Sequence, residues 1–241
     1  MIDLNLPVPT HVGVIMDGNR RWARQHNVST LEGHKQGVQT LKNVIEAAAE
    51  IGVSVLTVYS FSTENWGRSE DEVFGLKSLF AHHLNQDVKA LHEKGVRIKF
   101  IGDISPFGKS ICKAVCAAEE LTAQNTQITL CIALNYGGRQ DIVQACQAIA
   151  KAAVDGTLKP AAITEQHIAQ HLYTAALPDP DVIIRTSGEQ RLSNFLIWQA
   201  AYAEYIFTDI YWPDFSGEQF KLAIEAYQKR ERRYGKSGVL V

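Results

Sequence analysis

HVGVIMDGN, residues 11–19, is a short apolar run that stops abruptly on an acid, a glycine and an amide. An apolar stretch of that length closed by turn residues predicts a buried strand, His11 to Met16, feeding a turn at Asp17-Gly18-Asn19. Working outward, Val38, Leu41, Val44, Ile45 and Ala48 recur at three- and four-residue spacing, which predicts a helix from Gly33 to Ile51 closed by Gly52. Val53 to Phe61 (VSVLTVYSF) is β-branched and aromatic and reads as a second strand, ended by the polar loop Ser62 to Asn65. The alternation continues. Helices are expected at Ser69–Lys94, Pro106–Thr122, Asp141–Val154, Thr164–Tyr173 and Ser216–Tyr234, with Ser69 and Glu72 spaced as a capping box. Strands are expected at Val96–Ile101, Ile128–Leu134 and Val182–Ile184, while Phe195 to Trp212 is aromatic and mixed. This pattern predicts an α/β fold: a central, mostly parallel sheet of about six strands flanked by helices, as one domain over residues 1–241.

Composition narrows the function classes. The 241 residues carry 24 Lys+Arg against 26 Asp+Glu, a formal charge of −2, which argues against a general nucleic-acid binder. No run approaches the roughly 18 apolar residues of a membrane span, and Met1 to Val8 lacks the basic start and apolar stretch of a secretory signal. A soluble cytoplasmic protein is expected. Cys112, Cys116, Cys131 and Cys146 make no C-x-x-C pair, and the His167/His171 spacing lacks the glutamate of a zincin helix, so neither group predicts a metal.

Charge placement says more than charge total. Arg20, Arg21, Arg24, Arg68, Arg139, Arg185 and Arg191 fall in or beside loops that follow the expected strands. Loops at strand carboxyl ends converge in an open α/β sheet, and ligands bind there. Arginine suits phosphate, and a helix N-terminus adds backbone donors. Neither common nucleotide motif, G-x-x-x-x-G-K-[ST] or G-x-G-x-x-G, is present. What remains is a cluster of arginines, a strand-end Asp17 and many apolar residues, which fits polyphosphate chemistry on an apolar substrate.

The run His11 to Ala23 (HVGVIMDGNRRWA) followed by Gly33-His34-Lys35-Gln36-Gly37 resembles the opening motif of the cis-prenyltransferases. Ser60 to Arg68 (SFSTENWGR) is similar to that family's second motif. Arg185 to Gln199 (RTSGEQRLSNFLIWQ), Tyr202 to Tyr205 and Trp212 to Phe215 resemble its C-terminal motifs. The likeness runs from about residue 11 to Gly235. It implies a Mg²⁺-dependent transferase that condenses isopentenyl diphosphate in cis onto an allylic diphosphate such as farnesyl diphosphate. The product would be a long polyprenyl diphosphate, undecaprenyl diphosphate for example, the lipid carrier precursor for cell-wall polysaccharide.

By the same resemblance, Asp17 and Asn65 are the catalytic positions, and Asp17 with Glu204 holds Mg²⁺. Substrate contacts are implied at Gly18, Asn19, Arg20, Arg21, Trp22, Thr30, His34, Ser62, Thr63, Glu64, Trp66, Arg68, Arg185, Arg191, Leu192 and Ser193. An apolar tunnel is implied for the growing chain, with the helix face of Phe80, Leu84, Val88 and Leu91 as a wall; periodicity alone reads those residues as core. The family implies a homodimer, with Arg230, Arg232 and Arg233 reaching toward a partner, and a lipid-soluble product implies peripheral membrane contact at release. Thr30 stands where many relatives carry arginine, and Arg20 where bacterial relatives often carry glycine. Ser69 replaces a frequent proline after Arg68, and Cys131 a frequent polar residue. A non-catalytic accessory subunit is the competing reading, and the presence of Asp17, Asn19, Arg21, Asn65, Trp66 and Arg68 counts against it. A phosphate-ester hydrolase would need a nucleophile or water-activating base that the chain does not display.

Overall fold

The computed structural model describes residues 6–230. In chain order its strands are β1 (His11–Ile15), β2 (Val55–Ser62), β3 (Val96–Ile101), β4 (Ile128–Tyr136), β5 (Val182–Arg185) and β6 (Glu204–Phe207). The helices are α1 (Asn19–Gln25), α2 (Thr30–Glu50), α3 (Glu70–Glu93), α4 (Lys109–Thr122), α5 (Gly138–Val154), α6 (Glu165–His171) and α7 (Gly217–Gln228). The strands form one sheet in the order β3-β4-β2-β1-β5-β6, every neighbouring pair parallel. The predicted sheet is therefore present, parallel throughout.

Parallel strands covered on both faces are buried on both, and β1 and β5 accordingly have no exposed residue. Val12, Val14, Leu56, Val58, Ile98, Leu130 and Ile184 face a core shared with Val44, Ile45 and Ala48 of α2 and Phe220 and Ile224 of α7. Ile15, Ala133, Tyr136 and Ile183 face a second cluster closed by Phe195, Leu196 and Ala200. The chain runs from β1 to β2 on one side, then later returns to place β5 on β1's other side. The carboxyl ends of β1 and β5 thus flank the point where strand order reverses, the usual place for a ligand crevice.

Several boundaries differ from expectation, each for a local reason. α2 begins at Thr30 because Ser29 caps it, its hydroxyl accepting from the Glu32 amide at 3.2 Å. The Ser69/Glu72 capping box does not form; Glu72 is drawn instead to Arg68, at 3.0 Å. β2 runs on to Ser62, with register shifts against β4 around Phe61 that re-aim its last residues. The mixed segment after Phe195 contains β6, paired to β5 from Val182↔Glu204 to Arg185↔Phe207. α7 closes at Gln228, and the expected helical residues 231–234, with Arg232, Arg233 and Gly235, lie outside the described residues. Among the described residues no helix is long and apolar enough to cross a membrane.

Candidate active site

β1 ends at Ile15, and the chain turns at once through Met16 and Asp17 into α1. Gly18 makes that turn possible. Its φ is +105°, and a Cβ there would sit 2.9 Å from the Tyr211 ring and 3.1 Å from Ser187. Gly18 is also the N-cap of α1 and offers no side chain to it, so the first-turn amides of α1 have no capping partner. A second close approach sits one helix on: a Cβ at Gly33 would collide with the Asn19 carbonyl, which is why α2 can lie against α1.

Asp17 is held from three sides. Its backbone amide donates to Thr186 Oγ1 at 2.9 Å, and Thr186 Oγ1 donates back to the Asp17 carbonyl at 2.7 Å. Oδ1 accepts from the Gly18 amide at 2.7 Å and lies 3.5 Å from Arg21 Nη2. Oδ2 accepts from Arg185 Nη2 at 2.8 Å. Arg185, at the end of β5 and opposite Ile15 in register, is buried. Its other Nη1 reaches Ser193 Oγ at 2.8 Å and the Arg191 carbonyl, while its Nε finds no partner. A buried guanidinium tied to one carboxylate and leaving a donor free is built for a second anion.

The rim adds further charge. Arg20, Arg24 and Arg68 line the same opening. Glu189 bridges Arg21, at 2.9 Å, and Arg191. Hydrogen bonds from Arg191 hold the Glu189 carboxyl below its ordinary range. His34 faces the opening with its Nε2 unpaired. Burial, then Arg68 and Arg20, lower its pKa to about 4, so its ring is neutral at physiological pH.

A 3₁₀ turn over Thr63–Gly67 forms the opposite lip. There Asn65 Oδ1 accepts from the Ser62 amide at 3.1 Å, and Asn65 lines the opening with an NH₂ that can only donate. Glu64 accepts from Asn194 at 2.9 Å; burial opposes its ionisation, but that bond and others outweigh it and lower its pKa. Ser193, Asn194 and Leu196 all have positive φ (49°, 66° and 45°), a strained loop pinned by these contacts.

Rim and interior together form one cavity of about 920 Å³, apolar below the rim. Its walls are Val38, Leu41 and Ile45 of α2, the Leu76, Phe80, Leu84, Val88 and Leu91 face of α3, and Val58, Ile98 and Leu130 of the sheet. The α3 stripe is thus both core and cavity wall.

Not every expected residue reaches the site. Asp17, Gly18, Asn19, Arg20, Arg21, His34, Ser62, Glu64, Asn65, Arg68, Arg185 and Ser193 line it. Trp22 turns away, donating to Asp214 at 2.8 Å and stacking on His26. Thr30 opens α2 without lining the cavity, and Arg20 and Arg24 supply positive charge at the rim instead. Thr63 Oγ1 is buried and unpaired beside Gly137. Trp66 lies over Phe61 and Phe107, with its Nε1 on Asn135 at 2.8 Å. Leu192 packs into the second apolar cluster, and the Arg191 side chain is exposed against Glu189. Glu204 requires a correction. It opens β6 opposite Val182, itself opposite Val12, so it lies roughly 16 Å along the strand direction from Asp17. It pairs there with Arg230 at 2.7 Å, and within one chain the two carboxylates cannot share an ion. The sequence reading missed Thr186, Glu189 and Asn194, although Glu189 sits in the quoted RTSGEQR run between two arginines.

These motifs, in this geometry, match a known family. A profile described as "Putative undecaprenyl diphosphate synthase" matches residues 15–235. The chain belongs to this cis-prenyltransferase family. The Haemophilus influenzae ditrans,polycis-undecaprenyl-diphosphate synthase ((2E,6E)-farnesyl-diphosphate specific) is 47% identical over 236 residues, 98% of this chain and 99% of that one. The Micrococcus luteus protein of the same name is 47% identical over 228 residues, covering 95% and 92%. Among solved structures, lavandulyl diphosphate synthase from Lavandula x intermedia, in complex with dimethylallyl diphosphate, superposes with a TM-score of 0.92 at 37% identity, covering 95% of this chain and 99% of that one. An accessory role is disfavoured by the site itself, where Asp17, Asn19, Arg21, Asn65, Arg68 and Arg185 line one opening.

Proposed function

We propose that this chain is a cytoplasmic, Mg²⁺-dependent transferase that extends farnesyl diphosphate with isopentenyl diphosphate in cis to a long polyprenyl diphosphate. The observation that carries the reading is the junction of two surfaces in one cavity of about 920 Å³: arginines around Asp17 at its mouth, and apolar side chains lining it below. That volume is near the top of the range of about 300–1,000 Å³ for small-molecule sites. A diphosphate at the rim with its hydrocarbon below it satisfies both surfaces at once.

A magnesium ion fits the donors present. Among the described residues no group of three His, Cys, Asp or Glu side chains could cage a metal. Mg²⁺ keeps waters and is commonly held by one carboxylate together with substrate phosphates. Asp17 offers such a hard oxygen donor at the rim of the opening. Bound there, the ion would offset charge that develops on a departing diphosphate.

The chain's own residues do the rest. Arg20, Arg21 and the α1 amides bind the allylic diphosphate, and Arg185 with Ser193 orients the isopentenyl diphosphate. The allylic C–O bond breaks with its electron pair leaving on diphosphate, and the isopentenyl alkene forms the new C–C bond at the allylic carbon. The proton then lost passes to an oxygen of the departing diphosphate. Asn65 is not the acceptor, because a neutral amide is too weak a base; its NH₂ steadies a diphosphate oxygen. Neutral His34 adds a polar contact without a charge. Fixed donors of this kind act most strongly where water is excluded. We further propose a homodimer formed through the open edge of the sheet at β6, where Phe207 is exposed.

Purified protein supplied with Mg²⁺, farnesyl diphosphate and labelled isopentenyl diphosphate is expected to yield polyprenyl diphosphates many units long. Release of inorganic diphosphate without chain extension would overturn the reading.

A further inference from the structure

The wall of the cavity is not apolar throughout. Where α2 passes α3, Lys42 Nζ donates to Asp87 Oδ1 at 2.8 Å, and His83 Nδ1 donates to Asp87 Oδ2 at 2.8 Å. All three side chains line the main cavity beside Leu41, Leu84 and Val88. At about 1.5 Å per residue, Lys42 lies roughly 12 Å deeper along α2 than His34 at the rim. The site chemistry described above therefore has no use for this trio.

Behind the trio lies a second, smaller cavity of about 190 Å³. It is lined by polar side chains, Gln39, Asn43, Glu46 and Lys94 among them, and shares Lys42, Ile45, Asp87 and Leu91 with the main cavity. Its outer side is crossed by a second ion pair, Lys94 with Glu46, both exposed. The Lys42–Asp87 pair thus stands between the main cavity and a smaller cleft lined by Gln39, Asn43 and Glu46 in the α2/α3 seam. Burial opposes ionisation of Asp87, but hydrogen bonds from Lys42 and His83 outweigh it and hold its carboxyl below the ordinary range. A hydrocarbon chain pressed against this partition would strip water from the ion pair, at a cost in desolvation.

We propose that the Lys42–Asp87–His83 trio is a side gate that limits product length. Closed, it confines the growing chain to the main cavity and turns it toward Leu91 and Ile98; opened, it lets the chain end leave between α2 and α3. The inference rests on the chain-elongating function proposed above, and its test separates the two. The trio touches no reacting atom; it selects by the space it closes.

The test uses Lys42→Ala, Asp87→Ala and the charge-reversed double variant Lys42→Asp/Asp87→Lys. Both partners are partly exposed, at 36% and 21% of their side chains, so the single variants are expected to fold. Dephosphorylated products are sized by chromatography, and linear prenyl alcohols of graded length are assayed for binding, which reads the chamber without turnover. In both single variants the longest product and the longest alcohol bound should grow by at least one isoprene unit, and the double variant should return both toward wild type. Wild-type length limits in both single variants, or a double variant as permissive as the singles, would overturn the gate. A wild-type protein that does not elongate, but whose alcohol cut-off moves with these variants, would instead sink the proposed activity and leave the gate standing.

Discussion

The rim and the floor of the same cavity are built by opposite means. The rim is loop: Asp17 and Gly18 after β1, Ser187 to Asn194 after β5, and the 3₁₀ turn after β2, with positive φ at Gly18, Ser187, Ser193 and Asn194. Its charges are tied to one another across 168 residues of sequence, as in the Asp17–Arg185 and Arg21–Glu189 pairs. The floor is regular helix and strand, and its residues come from the same stripes that make the core. The difference teaches where each property resides. Reactivity sits in pinned, partly strained loops, whereas capacity for hydrocarbon is a gap left between packed regular elements.

Three measurements test that contrast. The largest effect is expected for Asp17→Asn, which keeps size and removes the charge at the rim. Turnover should fall by about 10²–10³-fold, the scale for losing one preorganised electrostatic contact. Steady-state kinetics with farnesyl and isopentenyl diphosphates would show it, and near-normal turnover would remove Asp17 from the chemistry.

Next comes a pH effect that joins rim and core. His34 and the buried His11 each have a pKa lowered to about 4, chiefly by burial, which for His11 outweighs its bond to the Pro178 carbonyl. Their folded pKa values lie below the unfolded value near 6.5, so the unfolded chain binds more protons between those limits. Stability should therefore be full above pH 6.5 and fall as pH drops toward 4, by about 3 kcal/mol for each ring. Urea unfolding across that interval would show the slope, and His34→Gln should flatten it by its own share. A slope unchanged by His34→Gln would mean that the ring is already protonated in the folded protein.

The smallest effect concerns the floor. Leu84 packs on Val115 and Ala118 on one side and lines the cavity on the other. Leu84→Ala should cost about 2 kcal/mol, the low end for a core leucine, because one side already faces open space. It should leave the first condensation within a few-fold of wild type. A loss of 4 kcal/mol or more would show that the α3 stripe is closed core and no chamber wall.

The regular part of the fold was legible because buried parallel strands and amphipathic helices each leave a periodic trace, and β1, α2 and β3 fall within a few residues of their expected limits. β6 left no trace, since four residues of mixed exposure show no period. At the site, the residues that follow β1, β2 and β5 were found because strand-end loops converge. Trp22 and Thr30 do not line the cavity, and Glu204 lies apart from Asp17 within one chain, because a motif gives neighbours in sequence and says nothing of which way a side chain turns. Glu204 is the instructive case: one strand length separates the start of β6 from the end of β1, and no local pattern records it.

The sequence by itself determined the family, the parallel sheet and the gathering of arginine at strand ends, because these follow from short-range order and from the rule that such loops meet. The tertiary structure alone decided which arginine holds Asp17 and where an ion pair interrupts the apolar wall. Those depend on how α2, α3 and β5 are brought together across long stretches of chain. Contacts of that kind are set by packing, which no window of neighbouring residues encodes.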